Sequence, residues 1–444
     1  MKDLTKGSPL RLILGFAIPL ALGNILQLFY SLADTRIVGS TLGDEALTAV
    51  GATSSLSNFL MSFLFGLGNG FAIIYARHFG AGNEKRLKKC LAGGYFLTTA
   101  IALFLTLVSV GFLPQLLTAL NVPAHHMEKA SGYIRIILLG MVFTAFYNSM
   151  CGALRSVGDS LRPLMFLAVS SVLNIILDYV FIVFLNAGVE GAAIATVISQ
   201  AVSAALCLLY IRKKYRLLWL SKEELKPERA VFSGLLSSGL SMGLMLSLVN
   251  FGTLALQGAI NALGDDIIVA HMAARKLTEI FMLPFGVLGS TMATFCSQNL
   301  GAGKYSRIRA GLKCAMGIGM VTVTLTIICS YTIVPQLIKL VTDTENTDVI
   351  DNATRYLRFD TLFYPVTLAI TVFRNTMQGF GDHVTPIISS AIELLGKVMA
   401  AYFLAPPLGY FGIILTEPMV WILMVIPLLV RTFMNPVFRA KEDR

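Results

Sequence analysis

The stretch SSVLNIILDYVFIVF, residues Ser170 to Phe184, is almost wholly apolar, yet it contains Asn174 and Asp178. A spacing of four residues places these two side chains on one face of a helix. A carboxylate at the centre of a bilayer costs about 2.5–3.5 kcal/mol or more, so it normally faces a polar cavity or a partner. The amide one turn away can bind a cation together with the carboxylate, or hydrogen bond to the protonated acid. We therefore interpret this face as a site for a cation or a proton.

The composition around this stretch is that of an integral membrane protein. Of the 444 residues, 55% are hydrophobic and 14% are charged, whereas a soluble domain carries about 25% charged residues. Apolar segments that cover the roughly 20 residues of a membrane span recur along the chain. We predict twelve spans, at about 11–38, 46–79, 89–113, 127–155, 162–185, 190–212, 232–262, 266–299, 307–332, 349–378, 384–405 and 409–435.

Basic residues are clustered in alternate loops between the predicted spans. The formal net charge is +10, and the loops that lack basic residues are neutral or acidic. This alternation follows the positive-inside rule and predicts a multi-pass protein of the cell (inner) membrane with both termini in the cytoplasm. Because the charge is explained by topology, nucleic-acid binding is not expected. The basic clusters lie at residues 2–11, 77–89, 155–162, 212–229, 304–313 and 431–444.

The two halves of the chain repeat. Each half has six predicted spans, an even number, so both copies have the same orientation and an axis along the membrane normal is expected to relate them. We predict an all-α fold with pseudo-two-fold symmetry and a central cleft: a lobe at 1–213, a cytoplasmic linker at 214–230 and a lobe at 231–444. The repeated motifs are Leu42-Gly-Asp44 with Leu263-Gly-Asp265, His78-Phe-Gly-Ala-Gly82 with Asn299-Leu-Gly-Ala-Gly303, Gly158-Asp159 and Pro163 with Gly381-Asp382 and Pro386, and Gly188 and Gly191 with Gly409 and Gly412.

The first span contains a second acidic residue. Gln27, Tyr30 and Asp34 are spaced three and four residues apart and therefore share a helix face. Pro19 removes a backbone hydrogen bond and is expected to bend the helix. Two interpretations of Asp34 have similar weight: a helix-end residue that pairs with Arg36 or solvent, or an acid that lines a cleft.

Taken together, the Asp34-Thr35…Val38-Gly39 signature, the twin Gly-Ala-Gly turns and the two Gly-Asp…Pro loops resemble the multidrug and toxic compound extrusion (MATE) transporters. The resemblance covers essentially the whole chain and points to the DNA-damage-inducible (DinF-like) subgroup. It implies a coupling-ion site, for a proton or for Na+, at Asp34, Asn174, Asp178 and Thr196. Candidate residues of the substrate cleft are Pro19, Gln27, Tyr30, Asn148, Glu279 and Met282.

The resemblance implies a secondary antiporter rather than an enzyme, acting as a monomer in the lipid bilayer without a cofactor. It would export amphipathic or cationic drugs in exchange for H+ or Na+ by rocker-switch alternating access. The residues are compatible with this implication. Two carboxylates in a cleft of low dielectric constant repel each other and lose hydration, which a proton or a sodium ion relieves. A cationic drug that binds the ionised pair would compete with that ion.

The second half carries a different set of charges. The predicted seventh span, residues 233–263, has no acidic residue, so no cation site is expected on it. Glu393 and Lys397 lie four residues apart and are predicted to pair. Glu279 is predicted to pair with Arg275 or Lys276, with a position facing the cleft as the alternative.

Three other functions are considered. An exporter or flippase of lipid-linked or polysaccharide substrates is the nearest alternative, because Arg275, Arg374 and Lys397 could bind a pyrophosphate. An intramembrane enzyme would need a clustered acidic metal motif, and the adjacent acids Asp265-Asp266 lie on an external turn with no third ligand nearby. An ATP-driven pump is disfavoured because the largest loop is too short to form a nucleotide-binding domain.

Overall fold

The computed structural model describes residues 3–120, 122–226 and 228–439, and these ranges are helical, with no β-strand. The ends of the predicted lobes, residues 1–2 and 440–444, lie outside the described residues. Shorter helical segments are Leu113–Ala119, Ala124–His126, Val334–Thr342, Ala405–Leu408 and Pro436–Arg439. The longer helices are α1 Pro9–Gly43, α2 Thr48–Gly80, α3 Glu84–Gly111, α4 Met127–Ser156, α5 Leu161–Asp178, α6 Gly188–Lys214, α7 Arg229–Asn261, α8 Asp265–Gly301, α9 Tyr305–Thr332, α10 Thr347–Thr361, α11 Tyr364–Phe380, α12 Val384–Phe403 and α13 Tyr410–Met434.

Eleven of the described helices are long and apolar enough to cross a membrane, as expected for a multi-pass membrane protein. The prediction of one continuous helix at 349–378 is wrong, because α10 ends at Thr361 and α11 begins at Tyr364. Pro365, in the first turn of α11, has no amide hydrogen to continue the ladder of α10. The corresponding part of the first half, around Val142, has no proline, and α4 runs through it unbroken.

The repeat that is visible in the sequence is also visible in the backbone. Gly43 and Gly264 both have a positive φ, +79° and +99°, with an extended ψ, a conformation open essentially to glycine. Each therefore ends one segment in a sharp turn just before the next long helix. The other repeated glycines also match in φ: Gly82 and Gly303 at 66° and 71°, Gly158 and Gly381 at 81° and 84°, and Gly188 and Gly409 at 58° and 57°.

The Gly-Ala-Gly turns close the ends of α2 and α8 in the same way. The amide of Asn83 donates to the carbonyl of His78 at 3.0 Å, and the amide of Lys304 donates to the carbonyl of Asn299 at 2.9 Å. Such bonds satisfy the last carbonyls of a helix and turn the chain back. These amides are used within the protein, which agrees with the prediction of a tight turn.

The chain forms two compact units. The first comprises residues 1–3 and 18–243, and the second comprises residues 4–17 and 244–444. The interior of the first unit is apolar and includes Phe71, Tyr75 and Leu154, all fully buried, and the second unit buries Tyr356 and Ile413 in the same way. The predicted lobe limits at 213 and 231 stay a prediction.

Residues 4–8, which we call the N-terminal strap, belong to the second unit. The amide of Leu4 donates to Gln298 Oε1 at 3.0 Å, and the carbonyl of Leu4 accepts from Asn299 Nδ2 at 3.2 Å. Arg307 donates to the carbonyls of Leu4 and Gly7 at 3.2 and 2.8 Å. The beginning of the chain is thus bound to the Gly-Ala-Gly turn between α8 and α9.

Candidate functional site

Asp178 lies where α5 changes its helical pitch. The α-helix ends at this residue, and Tyr179–Phe184 form a π-helical turn in which the amide of Leu185 donates to the carbonyl of Val180 at 3.0 Å. Isolated π turns are frequent at functional sites, because the wider turn moves a side chain out of the regular α-helical position. The sequence predicted a continuous helix over 162–185 and gave no indication of this turn.

Asn174 holds the Asp178 carboxylate in place. Both residues are fully buried, with 1% and 0% of their surface exposed. The Asn174 amide is assigned with its nitrogen toward Asp178, because the opposite orientation would turn its oxygen toward an acceptor. It then donates to Asp178 Oδ2 at 2.9 Å and accepts from the Thr196 amide at 3.1 Å. The Thr196 hydroxyl donates to the carbonyl of Ala192 at 3.1 Å, so its lone pairs remain available.

Asp34 of α1 faces this group from the other side. Its carboxyl lies within hydrogen-bonding reach of the Asp178 carboxyl, and the Tyr30 hydroxyl lies within reach of the Thr196 side chain. Asp34 Oδ1 and Asp178 Oδ1 are buried and have no donor among the described residues. Asp34 therefore lies beside other polar groups, and its role as an acid that lines a cleft stays a prediction.

Two features of this site were not predicted. Tyr133 of α4 lies within electrostatic range of Asp34, Tyr30 and Asp178, and the only signal for it is an aromatic hydroxyl within a predicted span. A small apolar cluster that includes Ile182 packs against Tyr133. Electrostatic interactions are strong in apolar surroundings of this kind.

The donor set suits a proton or a hard monovalent cation. Two carboxylates are joined by amide and hydroxyl oxygens, which are the ligands that hard cations prefer. Among the described residues, no group of three or more His, Cys, Asp or Glu side chains is arranged to hold a metal ion. A transition-metal centre therefore has no support in this part of the chain.

The candidate cleft residues differ in burial. Tyr30 is the candidate that lies near the carboxyl pair. Gln27 and Glu279 are exposed, whereas the other candidates are partly buried. Their role in a cleft stays a prediction. Pro19, Gln27, Tyr30 and Asn148 belong to the first unit, and Glu279 and Met282 belong to the second.

The charges of the second unit form their own network. Lys397 Nζ lies 3.0 Å from Glu393 Oε1, so the predicted pairing is confirmed. The prediction that Glu279 pairs with Arg275 or Lys276 is not confirmed among the described residues: the Arg275 guanidinium lies 3.4 Å from Glu417 Oε1. Glu417 approaches from α13 and is buried, whereas Glu279 is exposed. The inward interaction is the one that satisfies a buried carboxylate.

Asp360 is the residue that the sequence analysis missed. It is the second-last residue of α10, at the break before α11, and is fully buried. Neither carboxylate oxygen has a donor among the described residues. Its charged or hydroxylic neighbours include Tyr356, Tyr364, Arg275 and Glu417. An acidic residue inside the predicted tenth span was the signal that could have identified it.

Comparison with known proteins shows the family of the chain. The model of the MatE family matches residues 19–180 and again residues 242–403, more than half of the chain. The chain belongs to the MatE family. Its two matched segments begin at residues 19 and 242, a separation that agrees with the repeat.

Among its relatives, this MatE chain is 29% identical over 306 residues to the probable multidrug resistance protein YpnP of Bacillus subtilis (strain 168), covering 69% of the chain and 68% of the relative. It is 27% identical over 398 residues to the probable multidrug resistance protein YoeA of the same organism, covering 88% and 86%. A solved structure of a multidrug resistance MATE family transporter of the MOP superfamily in its outward-facing conformation matches with a TM-score of 0.90 at 23% identity, covering 99% and 98%. That likeness shows a shared fold.

Proposed function

We propose that this MatE chain is a secondary antiporter that exports amphipathic or cationic drugs in exchange for H+ or Na+. The observation that carries the proposal is the opposition of Asp34 and Asp178, two acids from different membrane-spanning helices that lie within hydrogen-bonding reach of each other. The names of the relatives YpnP and YoeA support drug export. Membership of a DinF-like subgroup stays part of this proposal.

The chemistry of the pair supports reversible ion binding. Two carboxylates at this distance are not both ionised at low energy unless a cation lies between them. A proton shared by Asp34 and Asp178 would give their unpartnered oxygens a donor, and a sodium ion could use the same oxygens with Asn174 and Thr196. The two carboxyls titrate as one unit.

Exchange then follows from mutual exclusion. A drug cation and the coupling ion are attracted by the same negative charge, so binding of one releases the other. Access alternates between the two sides as one half of a repeated architecture rocks against the other. The membrane potential contributes about 2.3 kcal/mol per elementary charge per 100 mV to any step that moves net charge.

The proposed antiporter acts as a monomer in the cell (inner) membrane. Both of its termini lie in the cytoplasm, and it needs no cofactor beyond the coupling ion. The alternation of basic loops supports this orientation. The match to a transporter family along most of the chain supports transport over an enzymatic function.

The test is uptake of a fluorescent organic cation into everted membrane vesicles, with a proton or a sodium gradient imposed separately. Asp178→Asn keeps the shape of the side chain and removes the charge, so we expect transport to fall to the background. The matched control is Asp351→Asn, an exposed residue of α10, which should transport like the wild type. Full transport by a folded Asp178→Asn protein would contradict the proposal.

Export of lipid-linked or polysaccharide substrates is the alternative function. The basic residues that could bind a pyrophosphate are engaged with acids: Arg374 lies 3.9 Å from Glu393, and Lys397 lies 3.2 Å from Glu417. This engagement favours the drug antiporter. Absence of transport with either gradient, in folded protein, would favour the alternative.

A further inference from the structure

Two buried glutamates of the second unit enclose the ammonium group of Lys397. Its nitrogen lies 3.0 Å from Glu393 Oε1 and 3.2 Å from Glu417 Oε1. The exposed fractions of the three side chains are 3%, 6% and 5% for Lys397, Glu393 and Glu417. One positive charge thus lies between two carboxylates at a place that water scarcely reaches, where their attraction is strong.

Three helices surround the Lys397 side chain, and one of them leaves space for it. Glu393 and Lys397 occupy one face of α12, and Glu417 enters from α13. On α7, Gly252 faces the stem of the lysine, because a Cβ atom at this position would lie 3.1 Å from Lys397 Cδ. The glycine leaves the space through which the lysine side chain reaches the carboxylates.

Two arginines lie beside the two glutamates that contact Lys397. Arg275 lies 3.4 Å from Glu417, and Arg374 lies 3.9 Å from Glu393 and donates to Ser390 Oγ at 3.1 Å. Asp360 lies within electrostatic range of Arg275 and Glu417 and is the third acid of the group. The cluster has three basic residues, Arg275, Arg374 and Lys397, and three acidic residues, Asp360, Glu393 and Glu417. The three basic residues are enough to match Glu393 and Glu417, so the cluster needs no dissolved cation.

We infer that Glu393 and Glu417 form a cation site whose permanent occupant is the ammonium of Lys397. The tethered charge takes the position that a dissolved monovalent cation would otherwise take. The second unit is therefore electrostatically complete without ions from solution. Under the proposed function, on which this last step rests, ion exchange is left to the carboxyl pair of the first unit.

The inference predicts that removal of the ammonium creates a binding site for a dissolved cation. Lys397→Met keeps a long side chain without charge and leaves the buried Glu417 and Glu393 with only the longer contacts to Arg275 and Arg374, at 3.4 and 3.9 Å, which destabilises the protein. In choline chloride we expect its melting temperature to fall by about 5 °C or more. In NaCl of equal ionic strength a large part of that loss should be recovered, because Na+ binds only the folded form.

The experiment is a thermal unfolding series of the full chain in detergent, with choline, Na+ and K+ compared. All variants carry Asp178→Asn, so that the first unit's carboxyl pair does not contribute and the result is independent of transport. Lys397→Arg keeps a tethered cation and should show no preference for Na+ or K+ over choline. Equal stability of Lys397→Met in all three salts would overturn the inference, and so would a Na+ response of the parent protein as large as that of Lys397→Met.

A second variant keeps the test decisive if Lys397→Met does not fold. Lys397→Met combined with Glu417→Gln removes one cation and one carboxylate together, which preserves the charge balance. We expect this double variant to fold and to have a melting temperature that does not depend on Na+. We expect Lys397→Met to fold better when Na+ is present during purification. If only the double variant folds, whatever the salt, then charge balance alone explains the cluster and no cation site exists.

Discussion

At the scale of single residues, the first unit brings together groups that lie far apart in the chain. Asp34 and Asp178 are on α1 and α5, and Thr196 is on α6, yet the side chains form one polar group in an apolar setting. Within this group, Asn174 is the residue that fixes geometry. Its amide connects the Asp178 carboxylate to the backbone of α6.

The first prediction concerns this amide. Asn174→Ala removes the donor to Asp178 Oδ2 and leaves a buried carboxylate less well held. A hydrogen bond to a charged group contributes about 1.5–3 kcal/mol, so the apparent affinity for the coupling ion should change by about tenfold or more. The measurement is the dependence of cation transport on the driving ion. Ser171→Ala, one turn earlier on α5, is the control, because its hydroxyl donates only to the carbonyl of Leu167.

How far this site could be predicted depends on the range of each interaction. The proximity of Asn174 to Asp178 follows from helical spacing alone. The position of Asp34 does not, because its partner lies in another helix and the residues around Asp34 fit two interpretations. The π turn after Asp178 left no local signal, since the segment 179–184 is uniformly apolar or aromatic. Asp360 was visible in the sequence as an acid within a predicted span. The lack of a hydrogen-bond donor for its carboxylate depends on how the helices pack and could not be predicted.

At the scale of helices and turns, the two Gly-Asp…Pro loops begin α5 and α12 in related ways. Asp159 Oδ1 accepts from the amide of Arg162, and Asp382 Oδ1 accepts from the amide of Thr385 at 3.1 Å. In both loops the aspartate caps the next helix. Asp382 Oδ2 also accepts from Arg431 Nε at 2.9 Å.

The second prediction concerns acid stability. Burial alone would raise the pKa of Asp382, but the Thr385 amide, the Arg431 guanidinium and the Thr385 hydroxyl outweigh burial and lower the pKa. The stabilisation is therefore present above the pKa of an unfolded aspartate, about 3.9, and is lost as the pH falls through the folded value. Asp382→Asn should cost about 1 kcal/mol at pH 7 and should show a weaker loss of stability between about pH 5 and 3.

The measurement is the melting temperature as a function of pH in detergent. Asp343→Asn, which changes an aspartate in the turn after residues 334–342, serves as the control for a general effect of charge. A pH dependence that is identical in Asp382→Asn and the wild type would show that the cap does not contribute.

The helix break at residues 362–363 shows what the sequence could and could not predict about elements. Pro365 was visible, and a proline marks a probable helix boundary. The apolar pattern nevertheless continued across it, and a pattern of this kind predicts membrane spans better than it predicts where their backbone is interrupted. The twelve-span prediction therefore gave the right fold class, and the predicted span at 349–378 is divided into two shorter helices.

At the scale of the whole molecule, α7 is shared between the two units. The division falls after Gly243, so the first half of α7 belongs to the first unit. There Ser238 Oγ donates to the carbonyl of Gly70 at 2.8 Å. The close approach needs Gly70, because a Cβ atom at that position would collide with the backbone carbonyl oxygen of Ser238.

The third prediction follows from this sharing. If the chain is expressed as two fragments, 1–222 and 223–444, we expect them to purify together, because the first unit is complete only with the beginning of α7. Gly70→Ala should reduce the yield of the complex by about tenfold, since a backbone clash is not relieved by a side-chain rotation. Gly234→Ala is the control, because space is open around that residue. Recovery of the fragments as separate folded proteins would contradict this expectation.

The N-terminal strap also has a consequence for biosynthesis. Leu4 is synthesised before its partner Arg307, which lies 303 positions further along the chain. At about 5–20 residues per second, the strap waits for about 15–60 s until its binding partners have been synthesised. Residues 4–8 therefore dock only after the start of α9 has been translated, so their ordering can report that translation has passed the turn after α8.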